Sequence, residues 1–141
     1  MNKKNNRLYL PTLADLIDQL AIDQIKEVLR PENKDSYARE MKKIGHDVDI
    51  LIEEKQLKLS ARLIRIIITL AQLNLHIWHH KDKMQHDQKH YSELLKFAHQ
   101  LNGLRNQMKN LILEETGCKE PSTKKTNFNT DGLDGWEISI E

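Results

Sequence analysis

The sequence predicts an all-α fold: a four-helix bundle made of two related antiparallel helical hairpins, followed by a flexible C-terminal tail. Three observations predict it. Apolar residues recur at i, i+3, i+4 and i+7 over four long segments, the spacing of one buried helix face. Five Gly and three Pro in 141 residues are too few for a turn-rich β fold. Finally, the two halves superpose on their apolar stripes. A shift of fifty residues brings Leu13, Ile17, Leu20 and Gln24 onto Leu63, Ile67, Leu70 and Asn74. A shift of sixty brings Tyr37, Met41, Ile44 and Val48 onto Phe97, Leu101, Leu104 and Met108. Any two amphipathic helices align on such stripes, so the amide shared by Gln24 and Asn74 is what argues for a common interior position.

The first helix spans about residues 12–29. Thr12 with Asp15 three residues later reads as a capping box, and Pro31 restricts Arg30 and ends the helix. The loop "PENKDS" offers Asp35 or Ser36 as the next N-cap. Tyr37, Met41, Ile44, Val48, Leu51 and Ile52 trace the second helix, which reaches Glu54 despite Gly45. Near "KQLKLS" the chain either turns or runs on. From Leu63 to Trp78 apolar side chains occupy nearly every face, the mark of a helix buried between neighbours. A turn follows near residues 85–89. The fourth helix runs from Tyr91 through Leu94, Leu101, Met108 and Ile112 and stops at Gly117. These elements divide the chain into an N-terminal arm (1–11), a bundle domain (12–117) and a tail (118–141).

Charge and cysteine content exclude several classes. Twenty-two basic and 21 acidic side chains leave a formal net charge of +1, which gives no basic field for nucleic acid. The lone Cys118 forms no disulfide framework, as expected of a reducing, cytoplasmic setting. "MNKKNNRLYLP" lacks the apolar core of a secretory signal. "ARLIRIIITLAQLNLHIW" is interrupted by Arg62, Arg65, Gln72, Asn74 and His76, so no membrane span is expected.

Five of seven histidines fall in "LNLHIWHHKDKMQHDQKH". His76 and His80, and likewise His86 and His90, stand at i and i+4, a spacing that lets two imidazoles share a metal. A complete ligand set is lacking, and a polar helix end near the negative pole of the helix dipole is the simpler account. The "HD" of "GHDVD" has no earlier histidine for a phosphohydrolase of the HD type. In "RNQMKN", Asn110 stands where HEPN ribonucleases place their acid–base histidine. Asp15 and Asp18 are one acidic pair, where all-α NTP pyrophosphatases use several to hold Mg²⁺, and they read as solvated helix-start acids. No catalytic residue and no cofactor are therefore assigned.

Asn74, Trp78, Asn102 and Arg105 are the strongest binding candidates. An amide on an apolar stripe must find partners, and a half-buried guanidinium needs a carboxylate or an anionic ligand. The plainer expectation is that they set helix register; the functional one is a small anion pocket between helices. "LNLHIWHHKDKM" followed by "LNGLRNQMKNLI" resembles the helical hairpin of uncharacterised all-α bacterial and phage proteins, N-L-x-I-W-H-x-x-D then L-N-x-x-R-N. It matches at Asn74, Trp78, His79, Asp82, Leu101, Asn102, Arg105 and Asn106. The resemblance covers the second half and implies the hairpin alone.

In the tail, Trp136, Ile138 and Ile140 alternate with Glu137 and Ser139, a pattern suited to a partner groove or to folding back on the bundle. The leading expectation is a cytoplasmic, non-catalytic interaction protein: an oligomerising adaptor, regulator or inhibitor with a protein partner or a second copy. The alternatives are binding of a small anionic ligand such as a nucleotide at Asn74, Trp78, Asn102 and Arg105, and metal-dependent hydrolysis at His76, His80, His86 and His90.

Overall fold

A computed structural model of the chain describes residues 10–118, 123–126, 130, 133 and 135–140. Among them are four α-helices and no strand: α1 (Leu13–Leu29), α2 (Lys34–Lys55), α3 (Ala61–His86) and α4 (Tyr91–Glu115). Helices α1 and α2 pair as one hairpin and α3 and α4 as the other, and α1 lies against both helices of the second hairpin. The four-helix bundle is thus built around α1. Helix α2 packs chiefly on α1.

Local chemistry sets the ends. Thr12 accepts from the Asp15 N–H, and the Asp15 carboxylate accepts from the Thr12 N–H, so two otherwise orphaned donors are satisfied. Neither Asp35 nor Ser36 caps α2. Pro31 instead starts a 3-10 turn, Pro31–Asn33, that runs directly into the helix at Lys34, because its fixed φ is already helical. Gln56, at φ 50°, closes α2 in the left-handed region, and the Ser60 side chain caps α3 by accepting from the Leu63 N–H at 3.1 Å. The α2–α3 junction is therefore a turn. Gly117 adopts φ 75° just past α4 and lets the Cys118 N–H return to the Leu113 carbonyl.

Ile66, Leu70, Leu73, Leu101 and Ile112 are the largest fully buried apolar side chains, and they join α3 to α4. A smaller cluster of Leu13, Leu16 and Leu51 joins α1 to α2. Two expectations change here. Gln24 is exposed while Asn74 is buried, so the shared amide is not a shared interior position. Nor is α3 buried all round, since Ile64, Ile68 and Leu75 face outward.

Parts of the tail lie on the bundle. Leu133, Trp136 and Ile140 pack against the main core, and the Trp136 ring meets His76 edge-on at 5.0 Å. Asn110 donates to the Lys125 carbonyl at 2.9 Å and accepts from its N–H at 2.8 Å. Trp136, Ile138 and Ile140 are half-buried and Glu137 and Ser139 exposed, so the period-2 alternation follows contact with the bundle. The arm at 1–9 lies outside the described residues.

Candidate functional site

The buried polar centre of the bundle is Asp18, on the face of α1 that meets the second hairpin. It is only 3% exposed, where a bare carboxylate would cost several kcal/mol. Three side chains satisfy it, two of them cations. Asn74 of α3 donates to Oδ1 at 2.8 Å, Arg105 of α4 donates through Nε at 3.0 Å and through a second guanidinium nitrogen to Oδ2, and Lys109 stands 3.4 Å away. Arg105 also donates to Asn102 Oδ1 at 3.1 Å. Lys109 reaches Asp15 at 2.9 Å, and Lys125 from the tail reaches the same carboxylate at 3.3 Å.

Burial alone pushes both carboxyls up, but the hydrogen bonds and cations outweigh it. Lys109, the Thr12 N–H and Lys125 hold Asp15 down at about 2; Arg105, Asn74 and Lys109 hold Asp18 below the ordinary aspartate range. Groups with depressed folded-state values stabilise fully above the ordinary aspartate range and lose that contribution as pH falls. Acid unfolding followed by circular dichroism is expected to begin below about pH 4 and to extend toward the Asp15 value near 2. Substituting Asp15 with Asn should narrow the window at its lower end.

The sequence-derived binding residues are thus largely brought together. Asn74, Asn102 and Arg105 meet through Asp18, whereas Trp78 lies apart under the Arg30 guanidinium, 4.9 Å from its ring centre. Asp18 occupies the position an anionic ligand would take, and of the expected solvated helix-start pair Asp18 is buried and Asp15 half-buried. Lys109, Asn110 and Lys125 were not anticipated, although Lys109 stands four residues after Arg105 on one helix face. Of the residues carrying the hairpin resemblance, His79 and Asp82 point to solvent.

The histidines have separate partners. His80 donates to the Leu94 carbonyl and lies 4.8 Å from the Phe97 ring; His76 meets Trp136; His86 pairs with Asp82 and His90 with Asp87. No group of three or more His, Cys, Asp or Glu side chains among the described residues is placed to hold a metal ion, and no helix among them is long and apolar enough to cross a membrane. Compared with protein families, curated proteins and solved structures, the chain matches none.

Proposed function

We propose that the chain is a non-catalytic helical interaction protein that works as a pair of identical copies joined through the outer face of α3. One observation carries this. Helix α3 leaves Ile64, Ile68 and Leu75 exposed at 43%, 51% and 40%, in line with Ala61, Ala71 and Trp78. These six positions are spaced 3-4-3-4-3, the seam of a two-helix coiled coil, and span about 26 Å of helix. The outward face of α2 is charged instead, with Arg39, Lys42, Lys43 and His46 exposed.

The seam suits its own antiparallel copy. A two-fold axis between Thr69 and Leu70 sets Ile64 against Leu75, Ile68 against Ala71, and Ala61 against Trp78 of the second copy, so bulky side chains meet small ones at two of the three kinds of layer. Arg65 then lies beside Gln72, so no like charges oppose at that position.

Sedimentation equilibrium of the full chain tests the reading. A monomer–dimer equilibrium is expected, with Ile68→Asp monomeric at unchanged helicity. A wild type that stays monomeric at its highest soluble concentration, or a dimer indifferent to Ile68→Asp, would overturn the proposal.

A further inference from the structure

Asp23 is the most anomalous side chain in the α1–α2 hairpin. Its residue is 0% exposed; Gln19 donates to Oδ1 at 3.0 Å, but no N–H or hydroxyl among the described residues donates to Oδ2. A buried carboxylate oxygen left bare is costly, and no cation among the described residues is paired with it. The hairpin register shows what faces it. Lys26 of α1 lies over the Tyr37 ring of α2 at 5.8 Å, and Leu13 and Leu16 meet Leu51 and Val48. The same antiparallel register brings Glu40 of α2 level with Asp23.

We propose that Asp23 and Glu40 share one proton across the α1–α2 interface, so that the docking of α2 onto α1 weakens when that proton is lost. Glu40 supplies the O–H and Asp23 Oδ2 accepts it, which satisfies the bare oxygen. Deprotonation releases the proton to water and leaves two carboxylates facing each other, one of them desolvated. In agreement, the hydrogen bond to Asp23, then its charge and then burial hold Glu40 above the ordinary glutamate range, against the lowering pull of Lys26 from α1 and Lys43 from α2. The α4 cations that reach α1 are committed elsewhere, Arg105 to Asp18 and Lys109 to Asp15 and Asp18, and α3 meets α1 with Asn74 at Asp18 and Trp78 at Arg30.

A folded-state value raised above the unfolded one stabilises fully below the ordinary glutamate range, and that stability is lost as pH rises through the raised value. Helix α2 is the element to respond, because it packs chiefly on α1. The test compares melting temperature against pH from 4 to 8 for wild type, Glu40→Gln and Asp23→Asn, alongside hydrogen exchange of α2 corrected for intrinsic rates. Wild type should lose stability toward pH 8, with α2 exchanging several-fold faster relative to α3. Glu40→Gln, whose amide donates to Asp23 at every pH, should flatten the profile, and so should Asp23→Asn, which removes the buried charge. Superimposable profiles for the three proteins would overturn the proposal. So would millimolar Ca²⁺ or Mg²⁺ raising the wild-type melting temperature at pH 8 but not that of Glu40→Gln, since the pair would then hold a cation.

Discussion

Asp18→Ala is expected to destabilise the bundle by about 3 to 5 kcal/mol, measured by urea denaturation at pH 7, because it removes one member of a buried charge network and strands the others. Arg105 would lose its carboxylate, and Asn74, buried on α3, its acceptor. Lys109 would keep Asp15. The decisive comparison is with a double variant, Asp18→Leu with Arg105→Met, which removes both charges and fills the volume. It should recover much of the loss, since an apolar replacement of a buried pair is often neutral or stabilising. A cost below about 0.5 kcal/mol for Asp18→Ala, the range of ordinary surface changes, would place Asp18 in water.

Leu70→Ala is the second large effect, about 2 to 5 kcal/mol. Leu70 is fully buried in the main core, among Ile66, Leu73, Leu101 and Met108, and its removal leaves a cavity between α3 and α4 that rigid neighbours fill only in part. Equilibrium unfolding reads the loss directly. Leu70→Met, close in volume, should cost less than about 1.5 kcal/mol. Equal costs for the two variants would mean that side-chain volume is not what matters at this position.

How far the molecule was legible before its structure depends on what each element needs from elsewhere. The start of α1 was readable because its capping box is closed by residues three apart, and the end of α4 because Gly117 permits a left-handed turn by itself. The start of α2 was misread: a side-chain cap was expected at Asp35 or Ser36, but the 3-10 turn begun by Pro31 makes one unnecessary. Asn74, Asn102 and Arg105 were identifiable as polar groups on apolar stripes. Their acceptor was not, because Asp18 lies 56 residues from Asn74 and 87 from Arg105, and only tertiary packing brings them together. At the first turns of a helix an aspartate is explained equally well by the helix dipole. The outward seam of α3 was hidden for the opposite reason: apolar side chains on nearly every face look the same whether a neighbour from the same chain covers them or not.

The central position of α1 also bears on how the chain reaches its native state. The His80–Leu94 contact closes a separation of 14 residues, whereas the Asp18–Arg105 contact closes one of 87. By the logarithmic growth of loop-closure entropy, the longer closure costs about 1.6 kcal/mol more. The α3–α4 hairpin can therefore assemble from near neighbours, while the carboxylate that accepts from Asn74 and Arg105 comes from the other end of the sequence. On that order, substitutions at Asp18 are expected to raise the unfolding rate more than they lower the folding rate.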